Sequence, residues 1–323
     1  MKPARPIANF FRGLDNILHK VLSNLPTEEG LTRKHVIWAY RLFLDREPES
    51  EDAILGKLGV WVTTEELRAD FISSPEFQSK NPGFRMTDSH GLPVPPSNLI
   101  ALVAGTSSSV SWFLKGGHLA AQSMVGILER NEVAIDCFDA ILDFGCGCGR
   151  VIRHLMFAKR AKLYGTDCNP ELIDWCKQNL DFAQFAVNDI SPPLSYDDST
   201  FDFVYALSVF THLPEALQFS WMSEMARVLR PGGFLIMTTH GESYLDRLAP
   251  EQQEQFQRRQ LVVVCEELAG TNACSAFHPE RYVHDKLASN FGFSVIDFIP
   301  RGAGGNPHQD LFLLIKGRHE SQS

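Results

Sequence analysis

Ile141-Leu142-Asp143-Phe144-Gly145-Cys146-Gly147-Cys148-Gly149-Arg150 decides how this chain is read. Aliphatic residues lead into an acid, and glycine then falls at every second position. Val151-Ile152-Arg153-His154-Leu155 follows as the expected start of a helix. A strand that turns into a helix through such glycines offers a ligand bare backbone to lie against. The spacing is G-x-G-x-G, with Arg150 where the dinucleotide fingerprint G-x-G-x-x-G places its last glycine. An acid at Asp143, just ahead of the loop, repels phosphate and attracts an ammonium group. A pyridine-nucleotide site is therefore the nearest competitor, not the first reading.

Outward from this loop, strands alternate with helices. Strands are expected over 140–145, 162–167, 183–188, 201–207 and 233–239, with helices over 149–158, 170–180 and 214–229 between them. A helix over 279–291 and strands over 293–299 and 310–316 follow, the last two joined through Gly302–Pro307. This alternation is the sequence form of an α/β doubly wound sheet, whose ligands bind at the carboxyl ends of its strands. Residues 241–277 form an insertion rich in Gln and Glu with few strand signals. Its place at the carboxyl edge makes it the expected seat of acceptor specificity.

The order of these motifs resembles the class I S-adenosylmethionine-dependent methyltransferases. The strand, acid and glycines of 141–149 match their first motif. Lys162-Leu163-Tyr164-Gly165-Thr166-Asp167 matches the second in Asp167, and Asn188-Asp189 the third. Phe201–Ser208 corresponds to the fourth strand, and Arg227-Val228-Leu229-Arg230-Pro231-Gly232-Gly233 with Phe234–Met237 to the fifth and its entry turn. The resemblance covers about two hundred residues. It implies a Rossmann-like seven-stranded sheet in the order 3-2-1-4-5-7-6 with the last strand antiparallel, and S-adenosyl-L-methionine as cofactor.

On that resemblance Asp143 acts on the methionine ammonium, while Gly145, Cys146, Gly147 and Gly149 bring backbone close to the donor. Partial positive charge from the first amides of helix 149–158 serves its carboxylate. Asp167 takes the ribose hydroxyls, Cys168 flanks the adenine, and Asp189 meets the exocyclic amine with Asn188 or Ile190 at the ring edge. Ala206 and Leu207, at the end of the fourth strand, complete the cofactor set. His240, His212 and His278 fall where a base could sit, with His240 favoured because Gly241 frees the backbone beside it. Acidic ligands of metal-dependent oxygen methyltransferases are missing from Ser208–Leu213, so no metal is expected.

Upstream, residues 1–80 read as an all-α interaction or positioning domain, with helices over Arg33–Leu44, Glu51–Thr63 and Thr64–Ser73 and a cap at Thr63. Residues 7–25 carry an apolar face suited to packing within the protein or in a homodimer, or to a membrane surface. Tyr40–Pro48 and Phe71–Phe77 resemble a helical domain related to phycobilisome linkers, which accompanies bacterial surface-glycan enzymes. Residues 81–130 are expected as a linker and cofactor-covering helices broken at Gly105–Ser109 and Gly116-Gly117, with Trp112, Phe113 and His118 near the donor. The methyltransferase domain then spans 131–318.

A net charge of −9 argues against nucleic acid as partner. Seven cysteines without zinc spacing read as reduced thiols of a cytoplasmic protein. No apolar run is long enough for a transmembrane segment, and Lys2 and Arg5 lack the apolar core of a secretory signal. Together these features point to methylation of a small-molecule or glycan acceptor. A sugar hydroxyl in a bacterial surface polysaccharide or glycoconjugate comes first. A natural product or lipid, or a non-catalytic S-adenosylmethionine-binding protein, is the alternative.

Overall fold

The computed structural model describes residues 30–61, 63–104, 109–306 and 308–317, so the apolar face expected over 7–25 lies outside them. The chain divides into two units. In the first, helices α1 (Arg33–Leu44), α2 (Glu51–Val60), α3 (Thr64–Ser73) and α4 (Pro75–Lys80) pack around Val36, Tyr40, Leu44, Ile54, Phe71 and Ile72. Thr63 caps α3 as expected, accepting from the Glu66 amide at 3.2 Å. The two motif segments meet here: Tyr40 lies edge-on to Phe71, and Arg46 pairs with Glu76 at 2.7 Å.

The second unit runs from Thr87 to Ser108 and resumes at Trp112. Residues 87–104 and 112–130 therefore group with the sheet unit. Helix α5 (Ser97–Ala104) precedes a π-helical turn, Trp112–Gly116, which runs straight into α6 (Gly117–Arg130). Gly116-Gly117 was expected as a break, but its role is close approach. A Cβ on Gly117 would meet the Arg150 carbonyl oxygen at 2.1 Å.

The strands are β1 (Ala140–Phe144), β2 (Lys162–Asp167), β3 (Gln184–Val187), β4 (Phe201–Ala206), β5 (Leu229–Thr239), β6 (Val262–Val264), β7 (Ser275–Phe277), β8 (Phe293–Ile299) and β9 (Asp310–Lys316). Seven form one sheet in the order β3-β2-β1-β4-β5-β9-β8. β9 runs antiparallel to both neighbours, and the rest of the ladder from β3 to β5 is parallel. With β8 and β9 as sixth and seventh strands, this is the expected Rossmann-like order. Every residue of β1 is buried, as a parallel strand covered on both faces requires. Helices α7 (Pro170–Asn179) and α8 (Glu215–Val228) flank the sheet, and Trp221 of α8 packs on Phe144 with ring centroids 4.5 Å apart.

Two expectations fail locally. Residues 149–158 hold only a short 3-10 turn, Ile152–Leu155, so no α-helix dipole points at the glycine loop. Arg153 accounts for this: its guanidinium donates to the carbonyls of Gly149 and Pro93 and pairs with Asp88 at 3.0 Å. Both partners of that pair are buried, which ties the segment before α5 to the glycine loop. Residues 280–291 are a chain of short α, π and 3-10 turns instead of one helix. The insertion contains helix α9 (Pro250–Gln257) and a two-stranded β6–β7 sheet, around a core of Tyr244, Leu248, Phe256, Val262 and Phe277.

Candidate active site

At the carboxyl end of β1 the chain turns through Gly145 and Gly147 with φ of +79° and +55°. A Cβ on Gly145 would lie 2.4 Å from Val209, and one on Gly147 2.8 Å from Val103, so both positions exclude side chains twice over. Gly149 (φ +75°) packs on Leu180 and Cys176, which makes its role internal.

Register places Asp143 beside Gly165 of β2 and Tyr205 of β4. Asp143 is 3% exposed, and burial pushes its carboxyl up to about 7, with Tyr205 and Arg150 opposing the shift. Asp143 Oδ2, Tyr205 Oη and Arg150 Nη1 are all buried and none has a partner at full hydrogen-bond geometry, although the Tyr205 hydroxyl lies close enough to Asp143 to favour its carboxylate. Arg150 lies over the Trp112 ring at 4.8 Å and donates through Nη2 to Asn306 at 2.6 Å. Burial pulls its guanidinium down to about 10, while Asp143 raises it. One carboxylate and one guanidinium, both desolvated and both with an unmet atom, describe a receptor for a zwitterion.

Asp167 closes β2, accepting from the amides of Gly147 at 2.9 Å and Asn169 at 2.8 Å. It thereby holds the glycine loop while each oxygen retains a lone pair. Cys168, Asp189 and Ile190 are exposed beside it along the same edge, and Asn188 donates to the Asp189 carbonyl. Ala206 is buried and Leu207 half-buried at the end of β4. Cys146 turns its thiol into the core, 3.5 Å from the Gly147 carbonyl, so only its backbone can meet a ligand.

His240 and His212 lie together, with ring centroids 6.3 Å apart. His240 stacks on Tyr244 at 4.2 Å and is 8% exposed; burial, with His212 and Arg247, lowers it to about 3. His212 Nδ1 bonds the Cys274 carbonyl at 2.8 Å, and burial lowers its pKa as well. His278, the third candidate base, lies apart from solvent, with its Nδ1 buried and without a partner. It is fully buried and bonds Gln218, which in turn donates to the carbonyls of Phe210 and Leu213. Its work is to hold the chain between β7 and α8.

A polar relay unread in the sequence joins the two sides. Beyond Arg150 and Asn306 it continues to Gln309, which accepts from Thr238 Oγ1 at 2.7 Å and from Asn306 at 3.5 Å. Gln309 Nε2 lies 2.8 Å from Ser208 Oγ and 3.4 Å from His240 Nε2. Ser208 is held at a positive φ of 61°, unusual for serine, by its amide bond to Thr238 and its hydroxyl contact with Thr211. Arg150, standing in place of a glycine, was the one sequence signal for this relay. Of the covering residues, Trp112 lies on Arg150 and Phe113 under Arg153. His118 instead faces His154, in a groove of about 630 Å³ between α6 and Arg153–Phe157.

Among the described residues, no group of three or more His, Cys, Asp or Glu could hold a metal ion, and the seven cysteines are free. No helix among them is long and apolar enough to cross a membrane.

Residues 142–237 match a family described as a methyltransferase domain. A sterol 24-C-methyltransferase of Schizosaccharomyces pombe is 36% identical over 98 residues, covering 29% of this chain and 25% of that protein. Methyltransferase GfsG of Streptomyces halstedii is 33% identical over 115 residues, covering 34% and 40%. A solved SAM-dependent methyltransferase of Methanosarcina mazei is 22% identical, with 59% of this chain and 98% of that one covered and a TM-score of 0.44. The chain spans only 25–40% of the length of the first curated relatives. The matched segment is similar to a methyltransferase domain, for which S-adenosyl-L-methionine is the expected cofactor. The unmet atoms of Asp143 and Arg150 fit the ammonium and carboxylate of that cofactor.

Proposed function

We propose that this chain transfers the methyl group of S-adenosyl-L-methionine to a hydroxyl oxygen of a neutral acceptor. One observation carries the reading: Asp143 and Arg150, opposite in charge, are buried at the carboxyl end of β1 with unmet polar atoms. Asp143 binds the ammonium and Arg150 the carboxylate. Asp167 receives the ribose hydroxyls, and Cys168, Asn188, Asp189 and Ile190 border the adenine, with Ala206 and Leu207 beneath it. The bound cofactor supplies a sulfonium methyl open to in-line displacement. The protein's contribution is placement, worth effective molarities of order 10⁵–10⁸ M for reacting atoms held about 3–3.5 Å apart.

His240 and His212 present neutral imidazoles on the acceptor side; His240 accepts a hydrogen bond from the acceptor hydroxyl and takes its proton as the methyl group leaves sulfur for that oxygen, then passes the proton to solvent. A sugar hydroxyl of a surface polysaccharide or glycoconjugate is the acceptor class favoured by the N-terminal helical unit and its linker-domain resemblance. That reading carries with it a cytoplasmic location, and attachment to glycan-assembly machinery or a second copy through residues 1–80. A lipid or natural product is the second reading. It is supported by the aromatic and aliphatic core that the insertion builds beside His240 (Tyr244, Leu248, Phe256 and Phe277). The chain's similarity to proteins named sterol 24-C-methyltransferase and fatty-acid O-methyltransferase points the same way.

Incubating the protein with isotope-labelled cofactor and separate glycan, lipid and small-molecule fractions tests this. Label entering a glycan hydroxyl supports the first reading, and label in an apolar molecule the second. Cofactor binding without label transfer to any fraction contradicts enzymatic methyl transfer and leaves a binding protein.

A further inference from the structure

We infer that Gln309 is a positioning residue, fixed by Arg150 through Asn306, which holds His240 as the Nδ1–H tautomer with its basic lone pair on Nε2. The argument is one of donors and acceptors. Arg150 has only N–H groups to offer, so the Asn306 atom 2.6 Å from it is the carbonyl oxygen. The Asn306 amide nitrogen must then face Gln309, whose oxygen lies 3.5 Å away. Thr238 reaches the same oxygen independently. Its Oγ1 accepts from the Ser208 amide at 2.7 Å, so its proton is free to donate to Gln309 Oε1 at 2.7 Å. Two separate bonds therefore orient the Gln309 amide the same way, and its NH₂ is left to face Ser208 Oγ and His240 Nε2. Only a lone pair on Nε2 is compatible with that neighbour, which leaves the imidazole proton on Nδ1.

Nδ1 is buried and has no partner at full hydrogen-bond geometry, the Ala276 backbone being the group that favours a proton on this ring, and the other groups around His240 do not reverse the choice. His212 and Arg247 are potential or actual cations, His278 is buried and neutral, and Tyr244 is stacked on the ring, with Asp310 acting on Tyr244 rather than on the imidazole. A proton arriving on Nε2 would set N–H against N–H, so His240 stays neutral while the relay is intact. The 3.4 Å contact is long, and Gln309 keeps its Ser208 and Thr238 bonds without it. An acceptor hydroxyl can thus replace Gln309 on Nε2. That catalytic consequence rests on the proposed methyl transfer; the tautomer does not.

The test is long-range ¹H–¹⁵N correlation of the full chain labelled with ¹⁵N-histidine, with His240 assigned by its loss in His240→Gln. The wild type is expected to show the Nδ1–H pattern at pH 7, and an Nε2–H pattern overturns the inference without any variant having to fold. Gln309→Glu places an acceptor on Nε2 and should raise the His240 titration midpoint at least a hundredfold in proton affinity; an unchanged midpoint overturns it. With Gln309→Leu, loss of the single tautomer is expected, together with a fall of at least fivefold in kcat and unchanged cofactor Kd. The tautomer collapsing while kcat holds would retain the relay and remove His240 from the proposed reaction. A single Nδ1–H tautomer persisting in Gln309→Leu overturns the assignment.

Discussion

The two sides of the crevice solve opposite problems. On the donor side, Asp143, Arg150 and Tyr205 are buried with unmet polar atoms, and two of the three carry formal charge. On the acceptor side, His240, Gln309, Ser208 and Thr238 are neutral and joined by hydrogen bonds, next to an apolar core. A desolvated charge is costly until a counter-charge arrives, so the donor side is built to be completed by a ligand. On the proposed acceptor side the Nε2 edge of His240 already meets Gln309, and the buried atoms left without a partner, His240 Nδ1 and Thr239 Oγ1, carry no formal charge. In the proposed reading, recognition by charge at Asp143 and Arg150 is thus set against recognition by fit beside His240.

Breaking the donor side should cost most. Asp88→Ala leaves Arg153 buried and unpaired behind the glycine loop, and should destabilise the protein by about 3–5 kcal/mol in denaturant titration. A loss within 1 kcal/mol would mean the arm before α5 does not anchor that loop. Asp143→Ala should weaken cofactor binding about tenfold to a hundredfold, the worth of a charged hydrogen bond, with acceptor affinity unchanged.

Asp143 also sharpens the contrast through pH. Its folded-state value near 7 lies above the usual carboxyl value of 3.8, so the free fold binds a proton that the unfolded chain releases. The stability of the free protein should therefore fall as pH rises from about 4 through about 7, by ~2–4 kcal/mol, and Asp143→Asn should flatten the slope. Cofactor binding, which needs the carboxylate, should strengthen over the same interval. Matching pH slopes for wild type and Asp143→Asn would show that the carboxyl is not perturbed in the fold.

On the acceptor side effects should be smaller. His240→Ala should lower turnover at least tenfold while leaving cofactor affinity within twofold by calorimetry; undiminished turnover removes the residue from the reaction. Smallest of all, Glu47→Gln on the exposed Arg41–Glu47 pair of the helical unit should shift stability by less than about 0.5 kcal/mol.

The sheet was legible because buried parallel strands write themselves as short apolar runs ending in functional residues, as Ile141–Asp143 and Lys162–Asp167 do. Sheet order was not written in the strands themselves; it came with the methyltransferase resemblance that the motif series carries. Local helix prediction failed at 149–158 because Arg153 spends its guanidinium on Gly149 and Pro93, a tertiary bargain that no periodicity records. Gly116-Gly117 was misread for a related reason. Glycine signals both a break and a close approach, and only the packed Arg150 backbone distinguishes them. The relay was invisible because Asn306 and Gln309 act on residues 156 and 69 positions away. His278 resembles a base by position, and only the structure shows that it is fully buried with Nε2 bonded to Gln218.

Calorimetric titration of the whole chain with S-adenosyl-L-methionine, beside NAD and beside the Asp143→Ala variant, bears most directly on the zwitterion receptor at the end of β1. Saturable heat with S-adenosyl-L-methionine, none with NAD, and a loss of at least tenfold in the variant is the predicted result. Binding of NAD in its place, or equal S-adenosyl-L-methionine affinity in both proteins, would contradict it.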